Sequence, residues 1–149
     1  MSALKNKILD PKIRPMAIKD CVALVDNEVA AKKGVKGMVI KIGYKTFKTI
    51  RPSIVVTAVD VLMDDFAEKL DQQYDKYLAI YPDKDQPFDR WVASRDVEIA
   101  NELLTVTDDL IARSNRTTIK KVYARLRKTA QKNVAYAAPA IGRLVLKYT

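Results

Sequence analysis

Three carboxylates come closest, in type and spacing, to a reactive site in this chain. Glu98, Glu102 and Asp109 fall on one face of a predicted helix, where acidic side chains can bind a metal ion or act as general acid and base. Di-metal sites in helical bundles pair such a Glu with a histidine three residues further on, and this chain contains no histidine. We therefore expect a solvated face here, with no metal and no cofactor. A carboxylate-dependent enzyme stays an alternative hypothesis.

The residue types that the chain lacks exclude most familiar catalytic centres. Without histidine there is no Ser–His or Cys–His nucleophile pair, and a single cysteine, Cys21, cannot build a thiolate site for zinc or iron–sulfur clusters. The sequence contains no glycine-rich nucleotide loop. Free cysteines are most often small buried apolar residues, so Cys21 is predicted to lie in the core. These patterns favour binding over catalysis.

Charge is distributed unevenly along the chain, whose net charge is +9. An acidic stretch from 52 to 109 separates two basic ends, and the second end, 110–149, contains no Asp or Glu. One helix face in that end carries residues at i, i+4, i+7 and i+11, which we call the basic stripe: Lys121, Arg125, Lys128 and Lys132. Such a row can contact phosphate groups, so it is a candidate anion-binding surface.

An acidic row has the same spacing as the basic stripe. This acidic stripe consists of Asp64, Glu68, Asp71 and Asp75. The two stripes could offset each other within one bundle, or between two copies of the chain in a homo-oligomer. For the basic stripe, this complementarity or plain solvation is favoured over binding of an external anion.

A second basic row lies in the segment from Val35 to Arg51. Lys41, Lys45 and Lys48 line a narrow side of this predicted helix, the rest of its surface is largely apolar, and it contains no acid. These three lysines complete the candidate anion-binding residues. Basic amphipathic helices of this kind can lie in a membrane interface. We favour a central helix of the bundle, buried on most sides, with its lysines reaching solvent.

Hydrophobic periodicity predicts an all-α, single-domain helical bundle of about six to eight helices over residues 1–149. Its landmarks are a short lead-in over 1–14, a break near Asp64, a main loop over 82–87, and a short terminal helix over 138–149 that begins where Pro139 ends the previous one. Because Ile50 to Val61 is rich in β-branched residues, a small α+β fold is the alternative. No stretch of the sequence reads as a transmembrane segment.

Five amphipathic aromatic residues raise the question of a pocket between helices. They are Tyr74, Tyr77, Tyr81, Trp91 and Tyr123. Such side chains can line a site for a small hydrophobic ligand or a lipid. They are equally suited to the edges of an ordinary core, and we favour that interpretation.

Several short runs, spread over nearly the whole chain, resemble an uncharacterised bacterial family of short, all-helical proteins. The runs are Leu24-Val25-Asp26, Glu28-Val29, Thr107-Asp108, Arg113-Ser114 with Arg116, Tyr123-Ala124-Arg125-Leu126-Arg127, Pro139 and Gly142. The resemblance implies a cytoplasmic bacterial protein and carries over no activity, cofactor or catalytic residue. A cytoplasmic location also agrees with a single cysteine and with an N-terminus that lacks the apolar run of a secretory signal.

The leading functional hypothesis is a non-enzymatic helical module that binds an anionic macromolecule, a nucleic acid or an acidic protein surface, through its basic faces. A bundle that binds a small hydrophobic ligand or a lipid is the first alternative. The two hypotheses differ in what they require of the fold, because the first needs unpaired basic side chains on the surface and the second needs a cavity in the interior.

Overall fold

A computed structural model describes residues 3–149 and contains, over that range, seven α-helices and no β-strand. The helices are α1 (Ala3–Leu9), α2 (Arg14–Ala31), α3 (Gly34–Ile50), α4 (Ile54–Ile80), α5 (Phe88–Ser94), α6 (Asp96–Ala112) and α7 (Thr117–Leu146). The all-α prediction is confirmed. The α+β alternative is wrong, because most of its β-branched run forms the first turns of α4. None of the helices between residues 3 and 149 is long and apolar enough to cross a membrane.

Both ends of the chain differ from the predicted boundaries. The predicted lead-in over 1–14 contains α1, whose Leu4 and Ile8 are buried in the core. A helix of seven residues is too short to stand out by periodicity, and packing against α4 stabilises it instead. Residues 1 and 2 lie outside the described range. The main loop predicted over 82–87 is confirmed between α4 and α5.

Two helices continue through positions where a break was predicted, because tertiary packing stabilises them there. α4 continues past Asp64 as one helix of 27 residues, because Met63 and Ala67 are buried on either side of that point. α7 runs through Pro139 for 30 residues, so the short terminal helix predicted over 138–149 is wrong. Proline removes one backbone hydrogen bond from a helix. Buried Ala138 and Gly142 flank it and hold α7 against α5, which compensates for that loss.

The predicted aromatic residues belong to the core and not to a pocket. Tyr74 and Tyr77 of α4 pack edge-on against Phe88 of α5, with ring centroids 5.0 and 5.2 Å away. Trp91 and Tyr81 extend this cluster. The Tyr77 hydroxyl donates a hydrogen bond to the backbone oxygen of Gln86 at 2.5 Å, which fixes the main loop. These rings therefore join α4 to α5.

Candidate ligand cavity and charged surfaces

The backbones of the two longest helices, α4 and α7, do not approach each other closely. No Cα atom of α4 comes within 8 Å of a Cα atom of α7, and a cavity of about 280 Å³ lies between them. Side chains of α1, α2 and α6 line its other sides, and the space is partly open to solvent. We call this space the α4–α7 cavity.

The lining of the α4–α7 cavity is elongated and almost entirely aliphatic. Along α7 it extends from Asn133 to Val145, about 18 Å of helix at 1.5 Å per residue. Along α4 it extends from Val59 to Leu70, about 17 Å on the same basis. Its polar or sulfur-bearing side chains are Cys21, Met63, Thr107, Asn133 and Tyr148. The space therefore fits a long apolar molecule better than a compact polar one.

The volume of the cavity has an energetic consequence. An enclosed apolar cavity costs roughly 24 cal/mol per Å³, so about 7 kcal/mol is an upper bound on the cost of this partly open space. A domain of this length has a total stability of about 5–15 kcal/mol. An apolar occupant would recover a large part of that cost.

Tyr148 closes one end of the cavity and ties the end of the chain to α2. Its hydroxyl donates a hydrogen bond to Oδ2 of Asp20 at 2.5 Å, and Lys147 pairs with the same oxygen at 2.7 Å. The hydrogen bonds from Lys147 and then Tyr148 lower the pKa of Asp20 below its ordinary value. Cys21 lies next to this carboxylate and lines the cavity.

The surroundings of Cys21 disfavour the thiolate form of its side chain. Burial, with a smaller contribution from the charge of Asp20, raises the pKa of Cys21 to about 11. The side chain is partly buried in the aliphatic lining. Cys21 packs against the core as predicted, but it is only partly buried and lines the cavity.

The basic stripe lies on the exposed surface of α7. Lys121, Arg125, Lys128 and Lys132 are all exposed, and in the chain from Ala3 to Thr149 none of them forms an ion pair. The neighbouring Arg127 instead bonds Asp108 of α6 at 2.9 Å. The four predicted residues are thus brought together on one face and remain available to a partner.

The acidic stripe meets the N-terminal segment and not the basic stripe. Asp64 pairs with Arg14 at 2.6 Å, and Glu68 pairs with Lys5 at 2.5 Å. Asp71 is buried and accepts a hydrogen bond from the Lys5 backbone N–H at 3.1 Å. Complementarity of the two stripes within one chain is therefore wrong, because Lys5 of α1 and Arg14 of α2 pair with these acids instead. Association of two copies through these stripes stays a prediction.

The lysine row of α3 divides between two roles. Lys41 and Lys45 are exposed. Lys48 pairs with Asp26 of α2 at 3.2 Å, and its ammonium group lies 4.5 Å from the ring centroid of Tyr44. The Tyr44 hydroxyl also donates a hydrogen bond to Asp26. Lys48 therefore anchors α3 to the bundle, whereas the other two lysines face solvent.

The predicted burial of α3 is wrong. Gly37 is its one buried residue, and Val35, Met38 and Ile42 are exposed over more than half of their surface. The helix packs on α2, α4 and α7 from the edge of the bundle.

A second tyrosine–aspartate contact joins α6 to α7. The Tyr123 hydroxyl donates to Asp108 at 2.5 Å and lies 2.9 Å from the hydroxyl of Thr107. Burial raises the pKa of Asp108, but the hydrogen bonds from Arg127 and Tyr123 outweigh it and hold this pKa below its ordinary value. Burial, followed by the bond to Asp108, raises the pKa of Tyr123 to about 12. Tyr123 is thus a structural contact and not part of a pocket.

The three candidate carboxylates do not converge. Buried Gln73 donates hydrogen bonds to Glu98 at 2.8 Å and to Glu102 at 2.9 Å, while its amide oxygen accepts from Trp91 at 3.1 Å. Asp109 is exposed and outside this set. Over residues 3–149, no group of three or more His, Cys, Asp or Glu side chains is placed to hold a metal ion. Glu98 and Glu102 therefore orient the side-chain amide of Gln73 in the core.

The α4–α7 cavity was not predicted from the sequence, and the aromatic residues proposed for a pocket lie elsewhere. The nearest signal in the sequence is the set of small residues in the lining, Ala17, Ala67 and Ala137. Alanine is common in any packed helix, so such residues do not distinguish a hollow core from a dense one.

Comparison with known proteins bears on the resemblance to an uncharacterised family. No curated protein and no solved structure matches the chain. A family model does match, over residues 4–149, and it is described as a family of unknown function (DUF6918). The resemblance to an uncharacterised family is confirmed, and the chain belongs to this family of unknown function.

Proposed function

We propose that this protein binds an elongated apolar small molecule, such as an acyl chain, in the α4–α7 cavity. The observation that carries the proposal is the separation of α4 and α7 by about 280 Å³ of aliphatic space. An engineered apolar cavity of roughly 150 Å³ takes up benzene, so the space here accommodates a larger ligand than a single ring. The role is carriage or sensing of the ligand, without chemistry on it.

The chemistry of the lining favours an acyl chain as the ligand rather than a polar metabolite. Val25, Leu70 and Val134 offer only dispersion contacts and hydrophobic burial, and they carry no charge to bind an ionised group. Asn133, at the opposite end of the lining from Tyr148, supplies an amide that can meet a polar end of the ligand. A long molecule with one polar end matches this distribution.

The test is titration of the purified protein with the neutral fluorescent probe N-phenyl-1-naphthylamine, followed by competition with dodecanoate and dodecanol. We expect saturable enhancement of the fluorescence and displacement by both competitors. Ligand at about 100 times its Kd is expected to stabilise the fold by about 2.7 kcal/mol, measured as a rise in Tm. Absence of saturable binding for all three molecules would contradict the proposal.

A matched pair of variants assigns the binding to the cavity. Val134→Phe places a large ring into the space, so it is expected to abolish probe binding while leaving Tm unchanged or higher. Val97→Phe makes the same change at an exposed position of α6 and is expected to bind the probe normally. Equal binding by the two variants would place the probe outside the cavity.

A second candidate function is supported by the basic stripe. Its four side chains are exposed and form no ion pair within residues 3–149, and they offer charge without adjoining large aliphatic side chains. This chemistry suits a phosphate backbone, so we propose binding of nucleic acid as the alternative. This alternative keeps the type of partner that was expected from the sequence, an anionic macromolecule.

Fluorescence anisotropy with labelled duplex DNA and single-stranded RNA tests this candidate. Affinity is expected to fall steeply between about 50 and about 200 mM salt, and Lys121→Glu with Lys128→Glu is expected to weaken it at least about tenfold. Lys12→Glu with Lys76→Glu changes the net charge equally, at exposed lysines that lie outside α7, and serves as the control. Equal losses in both double variants would rule out a specific role for the stripe.

A further inference from the structure

The outer side of α3 carries an apolar stripe that the described part of the chain leaves uncovered. The α3 apolar stripe is the set of residues at i, i+3, i+4 and i+7, namely Val35, Met38, Val39 and Ile42, which are 83%, 63%, 47% and 59% exposed. Scattered single apolar residues are normal on a surface, but four on one helix face form a continuous patch.

Contacts on one flank and on the far side of α3 fix the rotation of the helix. Gly43 faces α7 so closely that a Cβ atom there would lie 2.9 Å from Cδ2 of Leu126. Tyr44 and Lys48 both bond Asp26 of α2. Because these contacts hold one side of α3 against α2 and α7, the α3 apolar stripe is held facing outward.

Positive charge accompanies this stripe along the whole helix. α3 contains Lys36, Lys41, Lys45 and Lys48 and no acidic residue. Of these four, Lys48 is the one that forms an ion pair within residues 3–149. The exposed side of α3 therefore combines uncovered aliphatic side chains with uncompensated ammonium groups.

We propose that α3 docks the protein on the surface of an anionic lipid bilayer. The α3 apolar stripe inserts at the boundary between headgroups and acyl chains, and Lys36, Lys41 and Lys45 contact lipid phosphates, as in other interfacial amphipathic helices. A phosphate backbone of nucleic acid would use the lysines and leave the aliphatic side chains in water. The bilayer surface uses both features, and the docking does not depend on what the cavity binds.

Vesicle sedimentation tests the proposal with the full chain. Phosphatidylcholine vesicles with about one third phosphatidylglycerol are expected to bind the protein, and pure phosphatidylcholine vesicles to bind it at least about tenfold more weakly. Met38→Ser with Ile42→Ser is expected to lower the partition coefficient on anionic vesicles about tenfold or more. Both residues are exposed, so an unchanged Tm is expected to show that the variant is folded.

Two control variants distinguish vesicle binding through α3 from nonspecific hydrophobic adsorption and from an effect of net charge. Ile80→Ser with Val97→Ser removes exposed apolar residues on α4 and α6 and is expected to leave vesicle binding unchanged. Lys41→Glu with Lys45→Glu is expected to abolish it, and Lys121→Glu with Lys128→Glu, the same charge change on α7, to reduce it by less than about threefold.

Three results would overturn the proposal. The first is absence of binding to anionic vesicles at low salt. The second is an equal loss of vesicle binding in the α3 variants and their controls. The third is that Met38→Ser with Ile42→Ser leaves vesicle binding unaltered and changes another association instead. That change would be either a loss of affinity for duplex DNA or the conversion of a dimer to a monomer in analytical ultracentrifugation.

Discussion

The hydroxyl of Tyr148 lies 2.5 Å from Oδ2 of Asp20, and this contact joins the end of the chain to α2 across one end of the α4–α7 cavity. The ring of Tyr148 is buried, while the carboxylate also pairs with Lys147. Asp26 and Asp108 are bound in the same manner, each by a tyrosine and a basic residue of a neighbouring helix. These three contacts join neighbouring segments of the bundle.

Tyr148→Phe is expected to lower the free energy of unfolding by about 1–2 kcal/mol, since it deletes a hydrogen bond to a carboxylate and keeps the ring. Urea unfolding measures the change. Tyr136→Phe is the control, because Tyr136 is 73% exposed on α7 and its hydroxyl faces solvent. A loss for Tyr148→Phe no larger than that of the control would show that the contact is not formed in solution.

Stability is expected to fall in acid. The pKa values of Asp20, Asp26 and Asp108 are lowered in the folded state, Asp20 by its bonds to Lys147 and Tyr148 and Asp26 chiefly by its bond to Tyr44. A carboxyl with a lowered pKa stabilises the fold fully above its unfolded pKa of about 3.9. That contribution is lost as the pH falls through the folded pKa, because the unfolded chain then binds more protons.

Urea unfolding midpoints between about pH 7 and pH 2 check this dependence. Asp108→Asn is expected to be less stable at neutral pH and to show a flatter decline in acid. Asp65→Asn, a change at an exposed aspartate of α4, is expected to follow the wild-type curve. A wild-type midpoint that stays constant from about pH 5 to pH 2 would contradict the prediction.

Cys21 is expected to react slowly with iodoacetamide, because the thiolate is the reactive form and its pKa is raised to about 11. At about pH 8 the rate should be roughly a hundredfold lower than in the urea-unfolded chain, as followed by intact-mass spectrometry. Ala23→Cys in a Cys21→Ser background places a thiol on the exposed side of α2 and should react at nearly the unfolded rate. Equal rates at the two positions would mean that the lining around Cys21 is open.

Gly142→Ala is expected to destabilise the fold by about 1–2 kcal/mol. A Cβ at Gly142 would lie 2.7 Å from the Cα of Asp89, a backbone atom that cannot yield without moving α5. Gly43→Ala meets the flexible end of Leu126 and also gains helix propensity of up to about 1 kcal/mol, so it should be close to neutral. Chemical denaturation of both variants is the measurement, and the reverse order of stability would contradict the close approach of α5 and α7.

The helices that follow clear local signals were predictable from the sequence. Val35 to Arg51 was predicted and α3 spans Gly34–Ile50, because Gly34 and Pro52 mark both ends. The loop before Phe88 was predictable for the same reason. Local signals failed at Pro139 and Asp64, where packing on neighbouring helices outweighs the cost of an irregular position.

The candidate sites were predictable only in part. Spacing along a helix places Lys121 and Lys128 on one face whatever the fold is, and both are exposed there. Spacing could not show that Asp71 is buried against the Lys5 backbone, or that α3 lies at the edge of the bundle. Both facts depend on which helix packs beside which.

The sequence by itself determined the all-α fold, the absence of histidine-based and thiolate-based chemistry, and the position of each charged row on its own helix. These properties are local, since they depend on residue type and on a periodicity of 3.6 residues per turn. The tertiary structure alone decided that Lys5 and Arg14 pair with the acidic stripe, that α3 exposes its apolar side, and that the backbones of α4 and α7 stand apart around a cavity. A cavity is space that no side chain reaches, and residues distant in sequence determine that only once the helices have packed.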